Sequence, residues 1–589
     1  MNGLVDIFRE KNPDEIRHML YSDEYSAKEY CSRNGISYKL CDCAALFVMS
    51  AFLSQKTDCD KNVIRKKAYM AFFEKNTDAF PEAQKCIELL TGNTAEDPRI
   101  NIKILKGGSY KIKNYYLENY KLADIRGASV LLTHVEEDII PKMISDRFIP
   151  ECIVYSGGGN IFAVVPDDCN DSFALELEGA AKKLLISADI AYYISKSMML
   201  SDILGENYKA KMVDVENRLN ERKKLIINSS CNAHSEYFKK KIGIVSDKPE
   251  DCFEAEVNGT IVSESVVCEA CGKRNAVYKV GGDDLCTSCL HKRAVGNAAK
   301  RSRYINRFNL YNTVPAEPVK SLGDISREYI AVIYGDGNNM GGIIQQFTKI
   351  TQMMEFSRDV KSIVDKAVFE SMNEHQMTRF EVVGLGGDDV FIIVEGDKAI
   401  RFTVSMIKKY NSKFEKYRAS GQVSTMSAGI AIAKTDMPIR VVIDKAEEKL
   451  SEAKSIAKLK KDNCGSISFD IMDTFDGDGS ELLDTSYGAA VSMLPYYTNT
   501  AEDIIRMTEI FAKNKNKTRL RNVLDAFLNA ESAEEAELFL KYFNAKNTGA
   551  PVELLPVEGY TAKDGFYVAP DGRRYIIWKD LITLMEFIK

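Results

Sequence analysis

The sequence of 589 residues lacks several features that would assign it quickly to a class of protein. No apolar run is long enough to cross a bilayer, and the N-terminus shows no signal-peptide pattern, so we expect a cytoplasmic chain without membrane spans. The formal net charge is −6 at pH 7, which excludes a surface that is basic throughout. Any contact with nucleic acid must then be local or supplied by partner subunits. The five histidines include no adjacent His-Asp pair, so a metal site built on that dyad is not expected.

Length and composition predict several domains of ordinary globular character. A single hydrophobic core seldom grows beyond about 250 residues, and this chain is far longer. Hydrophobic residues make up 45% and charged residues 28%, which is typical of folded soluble domains. Without a secretory signal, the 14 cysteines indicate metal ligation in a reducing compartment rather than disulfides.

An acidic, glycine-rich turn between two predicted strands is the feature around which the chain is organised. Residues 378–383 and 390–394 have strand-like patterns, and the glycines between them permit a tight hairpin. Asp388 and Asp389 are expected at the tip of this hairpin or just inside its second strand. Two adjacent carboxylates before a buried strand are costly unless a cation meets them, and Mg²⁺ prefers such oxygen ligands.

A third acid, Asp336, follows an upstream strand predicted over 329–334, and the glycines beside it let backbone amides approach phosphates. A strand ending in an acid, a helix and an acid-tipped hairpin form the palm arrangement of nucleotide polymerases and cyclases. A lone Gly-Gly-Asp-Asp is often a surface turn, but its pairing with Asp336 favours an active site. The predicted metal ligands are Asp336, Asp388 and Asp389, and the predicted substrate contacts beside them are Gly337, Asn338, Gly386 and Gly387.

Residues 153–165 are similar to this acidic hairpin and indicate an internal duplication. The two segments align residue for residue, with glycine and asparagine at the positions of the two aspartates. Asp124, near a short apolar run, is the candidate counterpart of the upstream acid. We interpret the copy as a second nucleotide-binding half without catalytic acids. The alternative is a domain of the same fold that has only a structural role in packing. The predicted backbone cradle of this half comprises Gly157, Gly158, Gly159 and Asn160.

Two Cys-x-x-Cys pairs with a short loop between them predict a structural zinc ribbon. Four thiolates at this spacing suit tetrahedral Zn²⁺, with each pair supplying two ligands from a knuckle turn and no position left open for catalysis. Replacement of one cysteine by the nearby His291 is a less favoured alternative. The predicted zinc ligands are Cys268, Cys271, Cys286 and Cys289.

The coarse pattern of helices and strands predicts an α+β, multidomain protein with two ferredoxin-like palm domains, a zinc ribbon and helical domains at both ends. Lys454, on a predicted helix that begins near Pro438, is a candidate triphosphate contact, and a solvated lysine is an equal alternative. The predicted domains are a helical N-terminal domain over 1–115, a degenerate palm over 116–230, a zinc-ribbon linker over 231–325, a catalytic palm over 326–480 and a helical C-terminal domain over 481–589.

In combination, these features resemble the large polymerase/cyclase subunit of type III CRISPR effector complexes, in the form that lacks the HD nuclease domain. The resemblance rests on the duplicated palm with Gly386-Gly387-Asp388-Asp389 in its second copy and on the ribbon between the palms. It also rests on the segment 427–431, followed by Ala453 and Lys454. It covers most of the chain from about residue 116.

The resemblance implies a metal-dependent nucleotidyltransferase that makes cyclic oligoadenylates from ATP, with Mg²⁺ or Mn²⁺ on Asp336, Asp388 and Asp389. Synthesis would be triggered when a target RNA pairs with a guide RNA, and the product would activate separate effector proteins in antiviral defence. Guide and target RNA would be bound through other subunits, namely a small subunit and RAMP-type backbone subunits.

The sequence also departs from this family pattern and leaves two alternatives open. Without a His-Asp dyad, DNA cleavage is not expected. The turn after Asp336 lacks a second aspartate that some members have, so Asn338 or a backbone carbonyl would complete the metal shell. One alternative is a cyclic-dinucleotide synthase of the Gly-Gly-Asp-Glu-Phe type, although Asp389 and the duplicated palm argue against it. The other is a non-catalytic scaffold that binds subunits carrying guide RNA and retains the acids for folding alone.

Overall fold

The fold is taken from a computed structural model of the chain. The structure describes residues 38–55, 60–73, 76–91, 96–225, 242–244, 252–256, 260–262, 265–299, 302–319, 321–415, 417, 424–457, 464–472, 484–513, 517–547 and 552–587. The chain divides into two compact units, one within Met1–Arg303 and Gly341–Ser362 and the other within Tyr304–Met340 and Ile363–Lys589. Both helices and sheets occur in each unit, so the predicted α+β, multidomain class is confirmed.

Among the described residues before the first sheet, in the region that the sequence predicts to be helical, the structure has three α-helices. The first contains a continuous apolar run, and its residues from Ala44 to Met49 are almost completely buried. The third begins with Pro81, whose missing N–H is tolerated at the first position of a helix. The bounds are α1 Tyr38–Ser54, α2 Lys61–Phe73 and α3 Pro81–Thr91.

A four-stranded antiparallel sheet with the order β2-β3-β1-β4 forms the first palm, and β5 extends it beside β1. This order is that of a ferredoxin-like fold. Its strands are β1 Asn101–Tyr110, β2 Ile153–Gly157, β3 Asn160–Pro166, β4 Asp189–Ile194 and β5 Met198–Met199. Its helices are α4 Ile112–Leu117, α5 Leu122–His134, α6 Ile140–Arg147, α7 Asp171–Leu184, α8 Ser201–Leu204 and α9 Tyr208–Leu225, and a π-helical turn over Val135–Ile139 joins α5 to α6.

Two predictions about the first palm need correction. The boundary between residues 115 and 116 is wrong, because β1 lies before it and is the central strand of the sheet, paired with both β3 and β4. Asp124 is not the end of a strand: it lies in the first turn of α5, where it is completely buried. Its carboxylate accepts hydrogen bonds from Arg293, with Nη2 2.8 Å from Oδ2. The apolar run around Asp124 is therefore the buried face of a helix.

The segment after the first palm contains short strands and the helix α10, which packs closely on α5. Two glycines make this packing possible: a β-carbon at Gly127 would lie 1.8 Å from the carbonyl oxygen of Lys292, and one at Gly296 would lie 1.8 Å from that of Ala123. The bounds are β6 Ile242–Ile244, β7 Phe253–Ala255, β8 Thr260–Ile261, β9 Tyr278–Val280, β10 Asp283–Leu285, α10 Thr287–Ala298 and α11 Ser302–Tyr311.

The second palm repeats the first with additional strands, in the order β12-β13-β11-β14-β15-β16. Its first four strands are antiparallel, whereas β15 runs parallel to β14 after the crossover helix α16. Its strands are β11 Tyr329–Gly337, β12 Glu381–Gly386, β13 Asp389–Glu395, β14 Met426–Lys434, β15 Ser466–Met472 and β16 Tyr496–Tyr497. The helices of this part of the chain are α12 Leu322–Ile325, α13 Met340–Ile344, α14 Ile350–Glu374, α15 Ala399–Lys413 and α16 Ile439–Ala457.

The C-terminal region is mainly helical, as the sequence predicts, and it adds β16 to the edge of the palm sheet. Asp580 is buried here and accepts a hydrogen bond from the Met493 amide at 3.0 Å and another from the Tyr496 hydroxyl. The bounds are α17 Thr498–Lys513, α18 Lys517–Asn529, α19 Ala533–Lys546, β17 Thr561–Lys563, β18 Phe566–Val568, β19 Arg574–Tyr575 and α20 Trp578–Phe587. Within the described ranges, no helix has the length and apolar character needed to cross a membrane.

Candidate active site

The strand β11 carries Asp336 to one end of the second palm sheet. Its residues from Ile330 to Ile333 are completely buried, which fixes the strand in the core, and the chain becomes partly exposed at Asp336. Asp336 pairs with Ser427 on β14. On the other side, Gly335 pairs with Val390, so the antiparallel register brings Asp336 opposite Asp389. The predicted neighbourhood of these two acids is therefore found in the structure.

The acidic hairpin has the predicted form. Gly386 pairs with Asp389, and the two residues between them make the turn. Gly387 has a φ of +59°, a left-handed conformation that glycine adopts without strain. Asp388 thus lies at the tip, and Asp389 is the first residue of β13.

Asp388 is held against the end of β11. It accepts a hydrogen bond from the Gly337 amide, and a β-carbon at Gly337 would lie 2.8 Å from Asp388 Oδ2, so this position has no room for a side chain. Burial, together with repulsion from Asp336, raises the pKa of Asp388 to about 6. Asp336 is therefore close enough to disfavour the ionisation of Asp388.

Lys454 reaches this cluster from α16. Its Nζ lies 2.5 Å from Asp336 Oδ2. The helix comes this near because β14 has a glycine beneath it: a β-carbon at Gly429 would lie 2.1 Å from both Ala446 O and Leu450 N. The structure thus places Lys454 beside the predicted acids, and its proposed contact with a triphosphate stays a prediction.

Asn338 faces the neighbouring strand. Its side-chain Nδ2 lies 3.0 Å from Thr425 Oγ1 and 2.9 Å from Ser427 Oγ, and its backbone amide donates to the Thr425 carbonyl at 2.6 Å. The side chain is therefore engaged in the sheet as the structure stands. Its predicted contact with metal or substrate stays untested.

Two tyrosines flank the acids and were not predicted from the sequence. Burial and the nearby acids, Asp389 foremost among them, raise the pKa of Tyr334 above its usual range. Burial and then Asp388 raise the pKa of Tyr410, whose hydroxyl lies 3.1 Å from Ser424 Oγ. Both phenols therefore stay neutral near the carboxylates. A tyrosine at either position looks like an ordinary core residue in the sequence, because no spacing distinguishes it.

The chemistry of these residues fits a divalent cation, since carboxylate oxygens are the preferred ligands of Mg²⁺ and Mn²⁺ and a cation would relieve the repulsion between Asp336 and Asp388. The three acids do not all converge, however. Across the part of the chain that the structure describes, the group of three or more potential ligands whose donor atoms lie within 4.8 Å of one another is the cysteine cluster alone. Asp336 is turned toward Lys454, and Asp388 lies beside Gly337.

The predicted zinc ligands do converge. The sulfur atoms of all four predicted cysteines lie within 4.8 Å of one another, and all four residues are buried. Two donors support the cluster from outside: Asn119 Nδ2 lies 3.1 Å from Cys289 Sγ, and Arg274 Nε lies 3.3 Å from Cys286 Sγ. Such bonds stabilise thiolates bound to a metal. His291 is not a member of the cluster, so the four-cysteine interpretation fits the structure better than the one with histidine.

The hairpin of the first palm has the same geometry without the acids. Gly157 pairs with Asn160, as Gly386 pairs with Asp389 in the second palm. On the central strand, Gly108 pairs with Asn160 and so occupies the register position of Asp336. The predicted cradle residues Gly157, Gly158, Gly159 and Asn160 all lie in this hairpin, where Asn160 Nδ2 donates to the Gly158 carbonyl at 3.2 Å.

Close packing leaves no room for a side chain at two of the three positions where the second palm has acids. A β-carbon at Gly108 would lie 2.0 Å from the Gly159 carbonyl oxygen, and one at Gly159 would lie 2.1 Å from Ile112 Cδ1. Glu136 supports the turn from below, accepting the Ser156 hydroxyl on its backbone oxygen at 2.6 Å and the Gly159 amide on its carboxylate. Burial raises the pKa of Glu136 to about 8. At the positions that correspond to Asp336, Asp388 and Asp389, the first palm has Gly108, Gly159 and Asn160, so it lacks all three acids.

Comparison with known proteins agrees with this geometry. Residues 329–464 match the family model of the second palm domain of Cas10/Cmr2. No curated protein matches the chain significantly. The crystal structure of Csm1 in T. onnurineus is similar with a TM-score of 0.52 and 13% sequence identity, covering 90% of this chain and 73% of that one. The crystal structure of the apo Csm1-Csm4 cassette is similar with a TM-score of 0.50 and 14% identity, covering 82% of this chain and 69% of that one.

The match assigns residues 329–464 to a Cas10/Cmr2-type palm domain, the segment that holds Asp336, Asp388, Asp389 and Lys454. At these low identities, the structural similarities extend the likeness in fold, and not in function, to most of the chain.

Proposed function

We propose that this chain is the polymerase/cyclase subunit of a type III CRISPR effector complex and makes cyclic oligoadenylates from ATP. The observation that carries the proposal is the meeting of Asp336, Asp388 and Lys454 at one end of a Cas10/Cmr2-type palm sheet. Opposite charges at one site suit a substrate that carries both phosphates and a divalent cation. The choice of adenine and of a cyclic product rests on the family resemblance.

Asp336, Asp388 and Asp389 would hold Mg²⁺ or Mn²⁺. Such an ion neutralises the charge on a triphosphate and makes a ribose hydroxyl more acidic. The protein contributes carboxylates that are already partly desolvated, so little rearrangement of solvent is needed when the substrate binds. The role of Gly337 is steric, because any side chain there would collide with Asp388.

Lys454 supplies positive charge to the same site. In the nucleotide-bound state we expect its ammonium to leave Asp336 for a phosphate oxygen, since a phosphate carries more negative charge than a carboxylate. Gly386 and Gly387 leave the backbone of the hairpin accessible for a close approach of phosphates.

In the reaction, the oxygen of a ribose hydroxyl attacks the α-phosphorus of an ATP held on the second palm. The new phosphodiester bond forms as the bond from the α-phosphorus to pyrophosphate breaks, and the hydroxyl proton passes to solvent. Repetition of this step lengthens the chain, and attack by the terminal hydroxyl on the triphosphate end of the same chain closes the ring. Positioning and electrostatic stabilisation account for catalysis of this kind, so the protein needs no covalent intermediate.

The first palm is proposed as a second nucleotide-binding half that performs no chemistry. In support, its hairpin has the same register as that of the second palm, while glycines replace two of the acids and asparagine replaces the third. Its turn, with Gly158 and Gly159 at positive φ, suits backbone contacts with a nucleotide. We expect this half to bind nucleotide without metal ligands of its own.

Control by RNA completes the proposal. The chain has no net positive charge with which to bind RNA over its whole surface, so guide and target RNA would be bound through a small subunit and RAMP-type backbone subunits. Zn²⁺ on the four cysteines would be structural.

The test is a product assay on the full chain, assembled with its partner subunits and supplied with each labelled nucleoside triphosphate, with and without target RNA. We expect metal-dependent conversion of ATP into products with the masses of cyclic oligoadenylates, and only with target RNA. Asp388→Ala combined with Asp389→Ala should abolish conversion. Asp436→Ala is the matched control, because this exposed acid follows β14 at the opposite end of the sheet.

Each alternative makes a different prediction in this assay. Cyclic dinucleotides as products would indicate a synthase of the Gly-Gly-Asp-Glu-Phe type. Absence of metal-dependent turnover, with target RNA present, would indicate a scaffold and overturn the proposal. Wild-type turnover by the double variant would also overturn it.

A further inference from the structure

A continuous chain of polar side chains crosses the second palm beside its acids. Asn338 Nδ2 lies 2.9 Å from Ser427 Oγ on β14, and Ser427 Oγ lies 2.8 Å from Ser466 Oγ on β15. Ser466 Oγ then donates to the carbonyl oxygen of Ala453 at 2.8 Å. Ser427 and Ser466 are completely buried, so solvent does not compete for these bonds. This hydrogen-bonded network begins at Asn338, two residues after Asp336. It ends at Ala453, one residue before Lys454.

The hydrogens of this network can be arranged so that each group donates to the next, from Asn338 toward Ala453. The Asn338 amide has two hydrogens, and two hydroxyl oxygens, Thr425 Oγ1 and Ser427 Oγ, lie within hydrogen-bonding distance of its nitrogen. Ser427 can then donate its single hydrogen to Ser466, which donates its own to Ala453. In this arrangement every hydrogen is used once. Ser427 Oγ also lies 3.1 Å from Asn338 Oδ1, so its single hydrogen can point to that oxygen or to Ser466. The link to Ser466 therefore forms when the Asn338 amide nitrogen, and not its oxygen, is the partner of Ser427.

We propose that Asn338 is a positioning residue rather than a metal ligand. Its amide ties the turn after Asp336 to β14 and, through Ser427 and Ser466, to the helix that carries Lys454. The network thereby sets the distance between the residue that would hold the metal and the residue that would meet the phosphates. The expected effect of this network on catalysis rests on the proposed function.

The proposal also explains why asparagine stands at position 338. An aspartate there has no hydrogen to donate when ionised, so Ser427 would have to donate to it and would lose its bond to Ser466. A carboxylate at this place would also be added to a cluster in which Asp336 and Asp388 already repel each other. If Asn338 were instead a metal ligand, aspartate would be the stronger one.

The test compares Asn338→Asp, Asn338→Ala and Ser466→Ala with the matched control Ser468→Ala. Ser468 is also buried on β15 and also bonds to α16, with Oγ 2.7 Å from Glu452 Oε2, but it has no link to Asn338. The full chain is measured in three ways: Mn²⁺ affinity without nucleotide, kcat and KM for ATP in the assembled complex, and hydrogen exchange of the amides over 329–340.

We expect the three network variants to lower kcat about tenfold, with KM for ATP changed less than about twofold, because a small misplacement of reacting groups slows the chemical step more than it weakens binding. Mn²⁺ affinity of Asn338→Asp should not rise. Amide exchange over 336–340 should be faster in Asn338→Ala and Ser466→Ala. Ser468→Ala should match the wild type throughout.

A higher Mn²⁺ affinity or activity in Asn338→Asp would overturn the proposal and make position 338 a ligand site. Equal behaviour of Ser466→Ala and Ser468→Ala would overturn the role of the network. If the wild-type complex does not convert ATP, the proposed function fails. The exchange measurement then still decides whether Asn338 positions the turn.

Discussion

Lys454 and Asp336 form an ion pair across the second palm, with Nζ 2.5 Å from Oδ2. The side chains are 30% and 24% exposed, and such a pair contributes at most about 1 kcal/mol, since solvent screens it. It is therefore weak enough to be exchanged for stronger partners. A metal ion would compete for Asp336, and a triphosphate would compete for Lys454.

The first prediction concerns the removal of Lys454. In Lys454→Ala, Asp336 loses the cation that competes with a metal, so affinity for Mn²⁺ without nucleotide should rise, while KM for ATP should increase by about tenfold as a phosphate contact is lost. Metal titration and steady-state kinetics measure the two effects. Lys445→Ala is the control, because this lysine lies on the same helix and pairs with Glu448. Unchanged values for both quantities would contradict the role given to Lys454.

The second prediction concerns pH. Because the pKa of Asp388 is raised to about 6 in the folded protein, its protonated form favours folding. The stabilising effect of that proton is complete at low pH and is lost as pH rises from the ordinary aspartate range through about 6. Without metal at about pH 8, the free energy of unfolding of Asp388→Asn, measured with urea, should therefore exceed that of the wild type by on the order of 2 kcal/mol. This difference should shrink toward about pH 4.

Addition of Mg²⁺ supplies the control for this measurement. The ion binds the ionised carboxylate, so it should stabilise the wild type at about pH 8 more than it stabilises Asp388→Asn. A difference between the two proteins that does not vary with pH would show that Asp388 is not the titrating group.

The third prediction concerns the contact between α16 and β14. A methyl group at Gly429 would collide with the backbone of the helix at 2.1 Å, so Gly429→Ala should destabilise the chain by roughly 2–4 kcal/mol and displace Lys454. Urea unfolding measures the first effect and KM for ATP the second. Gly341→Ala is the control, since no atom lies within 4 Å of the new methyl group and the residue is helical. Equal stability of the two variants would contradict the close packing.

The fourth prediction concerns the cysteine cluster. Metal analysis should find zinc bound at the four cysteines, and Cys289→Ala should lose it and lower the midpoint of thermal unfolding, because the bound metal contributes to folding free energy. Asn119→Ala should retain the zinc but release it faster to a chelator, since it removes a donor 3.1 Å from Cys289 Sγ. Cys252→Ala, at an exposed cysteine outside the cluster, should leave zinc content unchanged. Full zinc content in Cys289→Ala would contradict the assignment.

The sequence was sufficient for the acidic hairpin, for the strand that leads to Asp336 and for the cysteine cluster. In each case, the residues are close together in the sequence or repeat a pattern, so spacing alone carries the information. The register that sets Asp336 opposite Asp389 could not be predicted from alternation, because both strands are buried on both faces; it is given by the pairing of the strands in the structure.

The first strand and the upstream acid of the first palm were predicted wrongly for identifiable reasons. Ile102 and Ile104 alternate with polar residues as in a strand, but Gly107 and Gly108 look like a linker because close backbone packing leaves no trace in one sequence. Asp124 looks like the end of a strand because its ion-pair partner, Arg293, is far away in the chain. The bonds of Asn338 were missed because serines and threonines on distant strands have no spacing signal.

The most direct test of the central claim, that the acids at the end of the second palm bind the metal–nucleotide substrate, is a titration of the full chain with Mn²⁺ and a non-hydrolysable ATP analogue, followed by electron paramagnetic resonance. The comparison is between the wild type, Asp388→Asn combined with Asp389→Asn, and Asp436→Asn. We expect the wild type and Asp436→Asn to bind Mn²⁺ more tightly when the analogue is present, and the double variant to lose at least about tenfold in that affinity. Equal Mn²⁺ binding by all three proteins would contradict the account.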